Sequence, residues 1–227
     1  PALTAASCGL AVLVHGVIDD FGRTTSAAIL HRLGVEPARS VDEAERALQR
    51  GGLAFVPIET LVPGLATLLA TRRRLGVRTS AHTVVKLIDP AEGGPSLRIV
   101  AVTHPDYLER MRSFLTATKA RALLLRGTEG EPVVPANRLV RVERCDQGCV
   151  DVMQDAVATA PSSMPDSIEA SVTARWTARV LARELPLPES IERWIACCLV
   201  GAGVADSIEA GRQKIRKCDF YPIRTAS

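Results

Sequence analysis

Five consecutive apolar residues, Leu53 to Pro57, follow the glycine pair Gly51-Gly52 and precede a helical stretch from Leu65 to Leu75. A short, unbroken apolar run bounded by turn residues reads as a buried strand. The same stretch ends in Arg72-Arg73-Arg74-Leu75-Gly76-Val77-Arg78-Thr79, with Gly76 as the helix stop. Ser80-Ala81-His82-Thr83-Val84-Val85-Lys86-Leu87-Ile88-Asp89-Pro90 closes it. A strand feeding a helix that ends in four arginines constrains both the fold class and the chemistry.

The rest of the chain repeats that alternation. Leu10 to His15 is an apolar run of strand length, followed by Gly16 and a polar loop to Arg23. Ser26 to Leu33 is helical and stops at Gly34. Ser40-Val41-Asp42-Glu43 is a capping box, so a second helix runs to about Arg50. Leu97 to Thr103 is a strand, and His104-Pro105 opens a helix with Pro at its first position. Ala122 to Leu125 is a buried strand, and Leu139 to Val142 is the last clear one. Beyond the loop at Ala160 to Pro165 come three helices: Ile168 to Glu184, Pro188 to Val200 and Asp206 to Lys217, the last capped by Asp206 with Glu209. Strands alternating with helices predict an α/β fold with a mixed, largely parallel sheet flanked by helices. The reading is one domain over 1–227, with 166–217 as its C-terminal helical part.

Composition sets limits on this. The chain has 227 residues and 47% apolar content, enough for a sizeable core. Aromatics are only 4%, so that core is mainly Leu, Val, Ile and Ala. Net charge is +3, so a basic site exists only if charge is unevenly placed. No run of about 18 apolar residues is present, so no membrane span is expected. Pro1 to Leu13 is apolar without a basic start, a poor secretory signal; it reads as the middle of a longer gene product. Of the six cysteines, Cys145 and Cys149 are close, but no partner pair follows at zinc-site spacing. Reduced thiols in a cytoplasmic protein, with no metal, are the simpler reading.

Val14-His15-Gly16 followed by Arg23-Thr24-Thr25-Ser26-Ala27-Ala28-Ile29-Leu30-His31-Arg32-Leu33-Gly34 resembles the Lys-His-Gly and Ser-Ala-Asp-x-Leu-x-x-Leu-Gly signature of anthranilate phosphoribosyltransferases. These belong to glycosyltransferase family 3, with the pyrimidine nucleoside phosphorylases. Arg72 to Thr79 resembles their Arg-Lys-x-Leu-Gly-Ile-Arg-Thr segment, Val102 to Met111 their strand-to-helix step, and Leu123 to Gly130 their His-Gly-x-x-Gly loop. The resemblance implies a phosphoribosyltransferase or nucleoside-phosphorylase-like fold, with most of the small N-terminal helical domain lying before Pro1. The Gly-rich diphosphate loop and the Asn-x-Ser-Thr motif of the enzymes would lie there too. The full-length form is then expected to be a homodimer.

The departures from the enzymes carry the functional expectation. Val14 replaces the lysine before His-Gly, Val17-Ile18 replaces Asn-Arg, and Ala28 replaces the Asp of Ser-Ala-Asp. The paired carboxylates that hold magnesium fall near Glu131-Pro132-Val133, where one Glu stands beside a Pro. Magnesium needs several hard oxygens, and phosphoribosyl transfer needs the metal to neutralise the diphosphate leaving group. The pattern is similar to the YbiB-type branch of the family, which shares Arg126-Gly127-Thr128-Glu129-Gly130-Glu131-Pro132, Ser80-Ala81-His82-Thr83 and Pro188-Glu189-Ser190-Ile191. That branch is associated with nucleic-acid binding.

Two readings stand for each candidate residue. By the resemblance Arg72 meets the acceptor carboxylate, and Arg73, Arg74 and Arg78 surround it. The four form a fork for phosphates, or they complement a helix C-terminus and face water. His15 and Gly16 line a cleft at the carboxyl end of the sheet, or His15 bonds a loop carbonyl. His82, with Ser80 and Thr83, holds a phosphate or caps a turn. Thr25 and Ser26 start a helix that binds an anion or is simply capped. The loop after Arg126 cradles phosphate or is an ordinary turn. Arg110, Arg112, Arg138, Arg141 and Arg144, interspersed with Glu109 and Glu143, read as a solvated face. Trp176 and Trp194 read as core.

The expectation is a nucleic-acid-binding protein that contacts the phosphate backbone through Arg72, Arg73, Arg74, Arg78, Lys86 and Arg126, without base-specific readout and without a cofactor. Strand type, single or double, stays open. The alternative is a glycosyl or phosphoribosyl transferase with an unknown acceptor. It would use magnesium and phosphoribosyl diphosphate, with His15, Gly16, Thr25, Ser26, Arg72 and His82 lining the pocket.

Overall fold

A computed structural model describes residues 1–20, 22–91, 94–128, 131–160 and 162–220. The chain begins with α1 (Ala2–Ser7), β1 (Val12–Gly16), α2 (Ser26–Arg32), α3 (Val41–Gly51), β2 (Leu53–Pro57), α4 (Ile58–Leu61), α5 (Pro63–Ala70), α6 (Arg72–Leu75) and α7 (Ala81–Val84). After a tight turn at Val85–Leu87 come β3 (Arg98–Val102), α8 (Pro105–Ala117), β4 (Ala122–Arg126), β5 (Arg138–Leu139), β6 (Val142–Asp146), β7 (Cys149–Gln154) and β8 (Val157–Ala158). Three helices close the series: α9 (Ala170–Leu181), α10 (Glu189–Gly201) and α11 (Ile208–Lys217). These form two compact units. One contains Ala2–Val85 and Met164–Pro186; the other contains Lys86–Ser163 and Leu187–Cys218.

In the unit holding Ala2–Val85, β1 and β2 pair in parallel, with Val12 opposite Leu53 and His15 opposite Val56. Every residue of β2 is buried, and the alternation of a strand explains how. Leu53 and Phe55 join Leu30, Leu33, Ala174 and Leu181 of α2 and α9 on one face. Ala54 and Val56 join Ala38 and Ala44, with Leu48 packed against them, on the other. The box predicted at Ser40 forms with a shift. Ser40 Oγ accepts from Glu43 N at 3.2 Å, but the Glu43 carboxylate accepts from Arg39 N at 2.7 Å. The helix expected from Leu65 to Leu75 begins earlier and divides at Thr71, so the three arginines occupy a single turn, α6, closed by Gly76 at φ 71°.

The other unit is built on a four-stranded sheet of order β3-β4-β6-β7. β3 and β4 run parallel; β4, β6 and β7 are successively antiparallel. The α/β class and the mixed sheet follow the sequence reading. The β6–β7 hairpin does not: Leu139 to Val142 is not the last strand. Its turn places Gln147 and Gly148 at φ 49° and 83°, the two left-handed residues of a tight hairpin. Gln is an unusual residue there, and most of β7 faces solvent, so neither turn chemistry nor burial marks it. Val100, Val102, Ala122 and Leu124 bury one face against Met111 and Leu115 of α8. On α11 the cap is Ser207, whose Oγ accepts from Ala210 N at 3.1 Å. The sequence points to Asp206 as the cap, but Ser207 lies one position nearer and has the extended backbone of a capping residue.

Candidate functional site

β1 ends at His15-Gly16. A side-chain carbon built at Gly16 would meet nothing within 4 Å, so the backbone there borders open space. His15 Nδ1 is buried and has no hydrogen-bond partner among the described residues. Burial pushes its pKa below the usual imidazole range, so the ring is neutral at pH 7.

The loop leaving β1 carries Asp19 and Asp20, which the sequence reading passed over. Asp20 Oδ2 accepts a hydrogen bond from Arg72 Nη1 and lies 3.9 Å from Arg23 Nη1. Asp19 Oδ2 accepts from Arg73 Nη2 at 2.8 Å. The inner pair is about four-fifths buried on both sides, whereas the outer pair is 57% and 77% exposed. The loop is held in shape by Thr25 Oγ1, which donates to Ile18 O at 2.8 Å, and by Arg23 N, which donates to Asp20 O at 3.1 Å. Thr25 Oγ1 also accepts from Ala28 N at 3.1 Å and caps α2. Its hydroxyl is therefore committed to local structure, and Ser26 stands at the first residue of that seven-residue helix.

His82 belongs to the same cluster. Its Nδ1 accepts from Thr79 N at 3.1 Å, so in the neutral ring Nε2 carries the proton. Burial lowers its pKa most. Arg72 and Arg78 lower it further, and Asp20 raises it. Asp20, Arg23, Arg72, Arg78 and His82 thus form one electrostatic group. Arg73, Arg74 and Arg78 are exposed.

Lys86 and Arg126 belong to the other unit. Lys86 Nζ donates to Ala101 O at 2.8 Å, and Arg126 is exposed at the end of β4. In the loop after it, Glu129 and Gly130 lie outside the described residues. Thr128 N donates to Val133 O at 3.0 Å, and a methyl on Gly127 would collide with Glu131 O and sit 2.9 Å from Ala101 Cβ. Gly127 therefore allows close backbone packing. Among the described residues no group of three or more His, Cys, Asp or Glu is placed to hold a metal ion.

Of the arginines read as a solvated face, Arg110, Arg138 and Arg141 are exposed, while Arg112 and Arg141 also bond a buried carboxylate. Glu143 on β6, 4% exposed in its side chain, accepts from Arg112 Nε at 2.8 Å, Arg112 Nη2 at 3.1 Å and Arg141 Nε at 3.0 Å. Burial works against its charge, yet hydrogen bonds from Arg112 and Arg141 overcome that and hold its pKa below the carboxylate range. Arg144 pairs with Asp151. Trp194 is core, with Nε1 donating to Pro132 O at 3.1 Å. No described helix is long and apolar enough to cross a membrane.

A parallel strand pair whose outgoing loop carries aspartates paired to an arginine turn marks an α/β protein. A family model described as "Glycosyl transferase family, a/b domain" matches residues 1–218, so the chain belongs to that family. The uncharacterized protein YbiB of Escherichia coli (strain K12) is 35% identical over 210 residues, 92% of this chain and 66% of its own length. The anthranilate phosphoribosyltransferase of Desulfitobacterium hafniense (strain Y51) is 32% identical over 130 residues, 57% of this chain and 38% of the enzyme. The chain thus spans under two thirds of these relatives. Among solved structures, the anthranilate phosphoribosyltransferase of Thermus thermophilus superposes with a TM-score of 0.72 at 24% identity, covering 95% of this chain and 66% of that one. The Saccharomyces cerevisiae enzyme, solved with PRPP and Mg, gives 0.69 at 14% identity, over 94% of this chain and 62% of that one. These two likenesses show the fold.

Proposed function

We propose that this chain binds nucleic acid through the phosphate backbone and does not carry out phosphoribosyl transfer. The observation that carries this reading is the segment from Thr60 to Ile88, which holds four arginines and Lys86 and no carboxylate. Its arginines sit on one helical turn and just past its glycine cap, with Arg73, Arg74 and Arg78 exposed. Guanidinium groups so placed suit a string of phosphates better than one small ligand, because adjacent positions on a helical turn point in different directions. Arg126 and Lys86 are further candidate contacts. The protein acts in this reading as a cytoplasmic homodimer.

Arg74 tests it, being exposed and bonded to neither aspartate of the acidic loop. Replacing Arg74 with Ala should weaken a labelled oligonucleotide roughly three- to tenfold in fluorescence anisotropy at low salt, regardless of sequence. Equal affinity for the two proteins would contradict the assignment.

The second reading, transfer of a glycosyl or phosphoribosyl group, is favoured by the open space at Gly16 beside the neutral His15. Magnesium with phosphoribosyl diphosphate would be its cofactor and donor. Calorimetric binding of that donor with magnesium would move the weight to this reading.

A further inference from the structure

The arginine turn is already occupied. Asp20 sits on Arg72 and approaches Arg23, and Asp19 sits on Arg73, so two carboxylates answer three of the guanidiniums nearest the end of β1. Their seating is built rather than incidental. The residues are 52 and 54 positions apart in sequence, and the loop is pinned by Thr25 to Ile18 O and by its own Arg23-to-Asp20 backbone bond. From these contacts we infer that Asp19 and Asp20 determine specificity: they reject single small anions and yield only to a polyanion. The inference rests on the nucleic-acid reading and names what makes that site selective.

The aspartates and an incoming anion compete for the same guanidiniums. A carboxylate fixed in the same chain acts at an effective concentration in the millimolar range or above. A free phosphate or carboxylic acid must displace it while making one new contact, and has little to gain. A polynucleotide that already touches Arg74 presents its next phosphates at a comparable effective concentration, so it can exchange with the aspartates one by one. The two pairs are graded for this. Arg73–Asp19 is exposed, screened by water and opens readily. Arg72–Asp20, largely buried and supported by Arg23, is the tighter stop. Asp20 therefore sets most of the discrimination and Asp19 a smaller part.

The test compares the wild-type chain with Asp20→Asn and Asp19→Asn, using two probes. Inorganic phosphate is titrated while the His82 ring signal is followed by NMR. A labelled single-stranded oligonucleotide is titrated across a salt series. Asp20→Asn should bind phosphate roughly tenfold more tightly than wild type, and its oligonucleotide salt slope should steepen by about 0.7, one phosphate contact. Asp19→Asn should change both in the same direction by less, about twofold to threefold for phosphate. Equal phosphate affinity in Asp20→Asn and wild type would overturn the inference. If neither protein binds oligonucleotide, the nucleic-acid reading fails, while the phosphate comparison still decides the masking role. Should Asp20→Asn not fold, Asp19→Asn, altered at an exposed site, carries the test, and no change with either probe overturns it.

Discussion

His82 reports on the whole electrostatic group, because it is pulled by charges of both signs. Burial and Arg72 and Arg78 lower its pKa, while Asp20 raises it, with a net shift below 6.5. Its midpoint by NMR should therefore lie below 6.5, move up in Arg72→Gln and move further down in Asp20→Asn. A midpoint unmoved by both changes would remove His82 from the cluster. The sign for stability follows. The folded ring binds its proton less readily than the unfolded one, so His82 costs stability progressively as pH falls from 6.5 through its folded midpoint. At this scale the sequence was partly legible. Arg72, Arg78 and His82 could be picked out because they stand close in sequence. Asp19 and Asp20 could not, because their partners lie more than fifty residues away and nothing local marks an ion pair of that span.

Elements built from local pattern were the easiest to read. β2 and β4 announced themselves as short apolar runs; β2 is buried throughout and β4 up to Leu125. β7 was missed because its solvent-facing residues carry no core pattern, and the cap at Ser207 because Asp206 and Ser207 are both good caps and only the backbone decides. Glu143 joins elements in a way pattern does not predict: a carboxylate on β6 bonds Arg112 of α8. Loss of one partner of a buried pair costs about 3–5 kcal/mol, less here because Arg112 and Arg141 are partly exposed. Glu143→Gln should lower stability by about 2 kcal/mol at pH 7. Because the folded pKa is depressed, that contribution is present above the ordinary value of 4.5 and is lost as pH falls through the folded value. Urea midpoints of the two proteins should converge below pH 4.5; a gap independent of pH would show that the charge is not what matters.

For the whole molecule, net charge says little and its placement says more. A surplus of +3 is too small to make a chain bind polyanions indiscriminately. The stretch from Thr60 to Ile88 concentrates five of the basic residues without a single acid, and the acids paired with Arg72 and Arg73 are supplied by one loop. The α/β class was legible from alternating apolar runs, and the family resemblance from four motifs in order; how the arginines are neutralised emerged only in three dimensions. In the proposed function, this partly masked arginine turn binds a phosphate backbone. Its most direct test is the affinity of the chain for a labelled single-stranded oligonucleotide as salt is raised. The claim predicts a log–log line with a slope of about −2 to −3, from three to four phosphate contacts. Affinity independent of salt, or no binding at low salt, would contradict it.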